Sequence, residues 1–497
     1  MPQCSKRFER RHKDEARSVD SGLTQVDDAI SRIPEIQRKA KNARNSLAPI
    51  NRFPPETLAL VAAFFESGRQ LLDATAVCRH WRVALLSFPR LWNTIRCSNR
   101  RQFNAYLERS KSVPLAVQFY KLHHRQLRSL VPHTSRLVAL TVRVSGSSDF
   151  GRIARHLRNS IPTLREYTIL GSHGMERLEL PSGIDNNHFM HVRELHLENI
   201  SSLRAPLAFP RVTKLTWHVD PGRHGPVQLS ELLGTLELLP ALEKVDLVFW
   251  TSWDTGIDLP SRVVTLQNVR WMCLRCSEDR GEGIPHILGF LELPNLTSLV
   301  VDTAPRYVSL FPVLPFTPFR KHLPNLAKLP EMEVHIHEDD RIRFRSPSQA
   351  TLECRSVGGP LGQMAYRYDR QLWGGLPLHS VRRLTVTLGK QECGFETTWL
   401  VCLLRDLGLL EHLELEGHCG YALRCLRRAM MRREILLGTK TLTVRSGAYA
   451  IRQALRLEDV ADSLGLDIVV ICIPGPEVSV IGGWLPDGDS DGWDQSD

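Results

Sequence analysis

Leu242-Glu243-Lys244-Val245-Asp246-Leu247 is followed, 27 residues on, by Val269-Arg270-Trp271-Met272-Cys273-Leu274, and after 27 more by Leu296-Thr297-Ser298-Leu299-Val300-Val301. Each phrase has one rhythm: apolar, two residues, apolar, one residue, apolar. Toward the N-terminus it recurs as Val212/Leu215/Trp217, Val192/Leu195/Leu197, Leu164/Tyr167/Ile169 and Leu137/Leu140/Val142. Toward the C-terminus it returns as Val381/Leu384/Val386 and Leu410/Leu413/Leu415. From Leu137 to Leu296 the intervals are 27, 28, 20, 30, 27 and 27 residues. Apolar residues two apart lie on one face of a strand. A short strand recurring at such a period is the mark of a stacked repeat, in which no unit buries its apolar face alone.

Between phrases the apolar spacing turns helical, at 150–159, 229–238, 284–291, 399–407, 423–435 and 451–464. Pro162, Pro240 and Pro294 stand just before the next strand, where proline cannot continue a helix. The reading is an α/β chain in which a curved, irregular leucine-rich-repeat-like solenoid covers 135–475. Strands are expected on its inner face and helices on its outer one. Residues 302–378 carry no clean phrase, although Met332-Glu333-Val334-His335-Ile336 alternates as a strand would. The Asn or Cys that closes such a phrase in regular arrays is also missing, so the turns need another source of hydrogen bonds.

A chain of 497 residues is too long for one ordinary core. With 42% hydrophobic and 24% charged residues it has the balance of a folded protein. Its net charge is +10, with eleven Lys/Arg against seven Asp/Glu in residues 1–50 and five Asp in 486–497. Eleven scattered Cys read as reduced thiols rather than a disulfide framework. The charged N-terminus has no apolar signal core, and the run at 464–474 is too short to span a bilayer. The expected compartment is cytoplasmic, nuclear or both, with no membrane partner. The expected organisation is a basic leader at 1–48, partly helical or disordered and kinked or split at Pro34. A helical module at 49–97, a connecting segment at 98–134, the array and an acidic tail at 476–497 follow.

The module at 49–97 holds three separated signatures in order. They are Ile50-Asn51-Arg52-Phe53-Pro54-Pro55-Glu56-Thr57-Leu58, then Val77-Cys78-Arg79-His80-Trp81-Arg82, then Phe88-Pro89-Arg90-Leu91-Trp92. This pattern resembles the F-box, whose family form is Leu-Pro-x-Glu-Ile-Leu, a spacer, Val-Cys-x-x-Trp and Leu-Trp. Phe53 stands where Leu is usual and Thr57 where Ile is usual, and the spacer at 66–70 lacks the common Asp/Pro pair. The whole layout is similar to the large family of fungal F-box proteins with irregular leucine-rich repeats. The resemblance implies docking onto the adaptor subunit of an SCF-type ubiquitin ligase and, through it, onto a cullin. It makes Phe53, Pro54, Leu58, Val77, Cys78, Trp81 and Trp92 the adaptor-binding set, as contacts or as their supporting core.

On the repeat strands, residues between the apolar positions point to the other face. The mixed signs there suit a polypeptide and argue against a nucleic-acid groove, which would be basic throughout. His196, His218, Asp246, Trp271, Arg275, Arg383 and Glu414 are the target-binding set, with Trp271 and Arg275 the expected anchors. No phosphate loop, Gly-x-Ser-x-Gly or His-Glu-x-x-His occurs. Cys273 and Cys276 have opposite strand parity, against a shared zinc, and His335-x-His337 reads as a polar strand end. The sequence thus points to a binding protein, with no enzyme activity, cofactor or metal expected. The expected role is a substrate receptor holding an unidentified target. The other reading is a scaffold or regulatory protein that uses the same two surfaces outside any ligase.

Overall fold

The computed structural model describes residues 3–65, 68–96, 99–121, 123–156, 161–172, 178–179, 189–200, 203–204, 209–219, 229–249, 263–276, 283–303, 322–326, 329–336, 341–346, 350–356, 378–388, 398–432, 439–446, 454–457, 462 and 465–472, with residues 3–16 described by their backbone alone. The fold is mixed α/β, with a long N-terminal helix and an extensive, mainly parallel sheet. The chain divides into two compact units, Met1–Arg143 and Val144–Asp497. The acidic tail at 476–497 and the helical candidate's remainder around 458–461 lie outside the described residues.

The first unit opens with α1, Gln3–Leu47, one continuous helix with Pro34 inside it. The expected leader is thus helical along its described length and is not split at Pro34. A proline removes its own N–H from the ladder and crowds the carbonyl four residues before it. Ion pairs at i,i+4 flank it, Arg32–Asp28 at 2.7 Å and Lys39–Glu35 at 3.0 Å.

Three short helices follow: α2 (Pro55–Ala63), α3 (Gly68–Val77) and α4 (Arg79–Ser87). Pro55 starts α2 at a position where a missing N–H costs nothing, and Glu56 suits its N-terminal dipole. Both α2 and α3 pack on α4, burying Leu58, Ala59 and Ala62, then Leu71 and Ala74, against Trp81, Ala84 and Leu85. The expected connecting segment is structured and contributes to the sheet. It holds α5 (Arg100–Arg109), β2 (Leu115–Phe119) and α6 (His124–Leu130). Strand β1 (Thr94–Ile95) pairs in parallel with β2, and β2 with β3 (Leu137–Val144). The strand series therefore begins ahead of the expected start at 135. Asn99 caps α5 by accepting the Arg101 N–H at 2.8 Å.

In the second unit every repeat phrase forms a strand. These are β4 (Glu166–Gly171), β5 (Glu194–Glu198), β6 (Lys214–Val219), β7 (Lys244–Phe249), β8 (Trp271–Cys276) and β9 (Ser298–Thr303). Then come β10 (Glu331–Ile336), β11 (Arg341–Arg345), β12 (Thr351–Ser356), β13 (Arg383–Leu388), β14 (His412–Gly417), β15 (Thr441–Ser446) and β16 (Asp467–Cys472). Neighbours from β4 to β9 and from β13 to β16 pair in parallel. The stretch without a phrase supplies β10, β11 and β12, placed in reverse order, β9-β12-β11-β10-β13. Strand β11 runs antiparallel to both of its neighbours, and β12 and β10 join β9 and β13 in parallel. The sheet thus passes through an irregular region without losing register.

One side of this sheet is apolar. Tyr167, Leu195, Leu215, Val245, Met272, Leu299, Leu352, Phe344, Met332, Leu384, Leu413 and Leu442 stand in one row and are all buried. Helices α7 (Ser147–His156), α8 (Leu229–Glu237), α9 (Gly283–Gly289), α10 (Thr398–Asp406) and α11 (Gly420–Met431) bury Ile153, Leu232, Ile287, Leu403 and Leu426. The missing hydrogen-bond ladder has a substitute at the strand entries. Asn268, Asn295 and Asn325 each donate a side-chain N–H to a carbonyl one repeat back, on Pro240, Gln267 and Pro294, at 2.8–2.9 Å. Backbone carbonyls there accept two N–H groups apiece: Thr213 from Glu243 and Lys244, Glu243 from Arg270 and Trp271, Arg270 from Thr297 and Ser298.

Candidate functional site: two binding surfaces

The first surface lies on α2–α4. Its helices are short, so each spends one face on the small core and has another left over. Phe53 is 47% exposed at the end of the turn Pro49–Arg52, and Pro54 beside it is exposed. Val77, the last residue of α3, is 62% exposed. Cys78 is half-buried, its thiol 3.8 Å from Asn51 Oδ1. The other three residues of that set are its supporting core: Leu58 and Trp92 are fully buried and Trp81 nearly so. Trp81 donates its indole N–H to Asn51 Oδ1, and Trp92 donates to the Leu85 carbonyl at 3.0 Å. Trp92 also packs edge-on against Tyr106 at 4.9 Å and lies under the Arg109 guanidinium at 4.5 Å.

Sequence reading missed the residues that replace them on the surface. Leu60, Val61 and Phe64 are exposed on α2, Phe64 by 85%, and Val83 is exposed on α4. The signal was available in helical spacing: if Leu58 and Ala62 face inward, Leu60 and Phe64 cannot. A helical unit with a closed core and this many large apolar side chains in water has a surface suited to a partner.

The second surface is the polar face of the second unit's sheet. Register fixes three rows across it. Thr168, His196, Thr216, Asp246, Cys273, Val300, Glu353, Arg343, Glu333, Thr385, Glu414 and Thr443 form the middle row. The seven residues expected to bind a target do not form one site. His196, His218, Asp246 and Arg275 come together on β5–β8. The imidazoles of His196 and His218 meet edge-on at 5.2 Å, and His196 Nε2 is 3.7 Å from Glu198. Arg275 bridges Asp246 at 3.6 Å and Asp302 at 3.2 Å. Burial holds His218 below the ordinary histidine range, helped by His196 and Arg275 and opposed by Asp246 and Glu198. Burial and the Asp246 carboxylate push the Cys273 thiol up to about 11. Trp271 is half-buried in the adjoining row.

Arg383 and Glu414 belong to a separate cleft, with four strands lying between β8 and β13. Its volume is about 430 Å³ and it is lined by Glu331, Glu333, Arg343, Arg345, Glu416 and Arg445 as well. Arg343 pairs with Glu353 at 3.1 Å, Arg345 with Glu333 at 2.9 Å, and Arg445 with Glu414 at 2.7 Å. Among the described residues Arg383 makes no ion pair. Paired charges along a sheet hold long side chains in fixed positions, which suits recognition of another charged chain. Half of the residues that line it sit in the stretch that lacked a repeat phrase. The alternation Arg341-Ile342-Arg343-Phe344-Arg345 was the sign of a strand there.

Among the described residues no group of three or more His, Cys, Asp or Glu is placed to hold a metal ion. No described helix is long and apolar enough to cross a membrane. Neither the protein-family models nor the curated proteins contain a match to this chain.

Proposed function

We propose that this chain is an F-box-type substrate receptor of an SCF-type ubiquitin ligase. The α2–α4 surface takes the ligase adaptor, and the polar sheet face of the second unit takes a target polypeptide. The observation that carries the reading is the division of labour within α2–α4. Leu58, Leu71, Trp81, Leu85 and Trp92 close a core, while Phe53, Leu60, Phe64, Val77 and Val83 stay in water. The three sequence signatures that resemble the F-box fall on that same unit. The mechanism is proximity: a tethered target sees a high effective concentration of the ubiquitin-loaded enzyme, and this chain performs no bond chemistry.

The test is co-purification of the full-length chain with the adaptor and the cullin. Wild type should retain both. Phe53→Ser combined with Phe64→Asp should lose the adaptor at least about tenfold, the scale of an interface hot spot, with the far-UV circular dichroism unchanged. Adaptor recovered without cullin would instead favour a scaffold outside the ligase. No adaptor binding by wild type would sink the proposal.

A further inference from the structure

Helix α11 turns a basic side to water. Residues 420–433 hold five arginines and no acid. Leu423, Leu426 and Met430 are buried and fix the helix on the sheet, while Arg424, Arg428 and Arg432 are exposed. Arg424 rests over the Tyr421 ring at 5.8 Å, and among the described residues Arg428 makes no ion pair. The three recur every four residues, about 6 Å apart along the helix axis. Like charges at that spacing repel one another unless an acid lies among them. The helix dipole favours only the arginines of the last turn, and Arg424 stands two turns from the end.

We infer that the acidic segment of this same chain, residues 484–497, docks along α11. Charge and spacing select it. Residues 473–497 hold five Asp and Glu477 with no Lys or Arg. Asp487, Asp489 and Asp491 alternate with the small residues Gly488 and Ser490. In an extended segment these three carboxylates stand on one side, about 6.7 Å apart. The mismatch with the arginine spacing is below about 1 Å per pair, which long side chains absorb. The polar face of the sheet is a poorer partner, because Arg343, Arg345 and Arg445 there already pair with Glu353, Glu333 and Glu414. The path is short. Strands β14, β15 and β16 run parallel, so Cys472 stands in register with Ser446 at the end of the sheet where α11 starts, three residues after Gly417. Crossing from β16 to β14 takes about 10 Å. Residues 473–486 reach up to about 45 Å. Exposed ion pairs are individually weak, but tethering holds the segment near the helix at about millimolar effective concentration.

The inference stands apart from the ligase reading and is tested on the full chain alone. Arg428→Lys keeps the charge and adds an amine that a carbodiimide can join to a touching carboxylate. Peptide mapping should find residue 428 joined to Asp487, Asp489 or Asp491. The yield should not depend on protein concentration and should vanish at about 1 M salt, where surface charges are screened. Arg428→Asp should quicken chymotryptic cleavage after Trp484 and Trp493 several-fold. Adding Asp489→Arg should slow it again, because the middle pair of the three is the same in either direction of docking. No junction, a junction only to other acids, junctions only between chains in a mixture of isotope-labelled and unlabelled protein, or a double swap that restores nothing would each overturn it.

Discussion

Asn51 accepts the indole N–H of Trp81 at 2.8 Å, and this bond ties the turn Pro49–Arg52 to α4. The same amide donates to the Asn45 carbonyl at 2.6 Å, at the end of α1. Asn51 is thus the polar link among three elements. Asn51→Ala leaves a nearly buried indole N–H unpaired, at a cost of about 1–3 kcal/mol. Hydrogen exchange should quicken across Pro49–Ser87, while Asn51→Asp, which keeps the acceptor, should change much less.

Exposed and buried aromatics of the first unit should separate cleanly. Trp92→Ala removes a fully buried ring with its hydrogen bond and should cost about 3–5 kcal/mol in denaturant titration. Phe53→Ser and Phe64→Ser should leave stability within about 0.5 kcal/mol, as surface changes do. A large stability loss from Phe64→Ser would mean that its face is already covered.

Gly417 closes β14 with φ +83, in the left-handed region, and a side chain there would strike the Leu388 carbonyl. Its own carbonyl accepts from Ser446 Oγ on β15. Gly417→Ala combines strain with a backbone collision and should cost more than about 1 kcal/mol, read as faster exchange in β13–β15.

His218 gives the fold a pH dependence. Its pKa is lowered, so the folded chain holds it neutral while the unfolded chain takes up a proton near the ordinary value. Stability associated with this group is therefore complete above about pH 6.5 and declines as pH falls through that value. The loss stops once the pH is below the folded pKa. His218→Gln should remove this component. Denaturant midpoints of wild type and variant, compared between about pH 7.5 and 5, should converge or cross in favour of the variant.

Cys273 should resist alkylation. Its thiol is buried and pushed up to about 11, so almost no thiolate is present near neutrality. Mass mapping after brief iodoacetamide treatment at pH 8 should find Cys273 unlabelled in the folded chain and labelled after unfolding. Labelling in the native state would show that β7–β9 open readily.

Periodicity alone determined the strands at Leu164, Val192, Val212, Leu242, Val269, Leu296, Val381 and Leu410. Apolar residues two apart dictate a face, and the face dictates a sheet. The short helices of the first unit were legible for the same reason, through Pro55, Gly68 and the spacing of Leu58, Leu71 and Trp81. Sequence alone could not decide which aromatics are spent on the core. Trp81, Trp92 and Phe53 are alike in chemistry, and only packing separates the first two from the third. Nor could it place β10–β12, because pairing between distant segments depends on how the chain returns, and β11 returns reversed. That reversal sets Arg343 against Glu333 and Glu353 and creates the cleft that holds Arg383 and Glu414. Local pattern fixes which way a side chain faces; only the assembled sheet fixes what it faces.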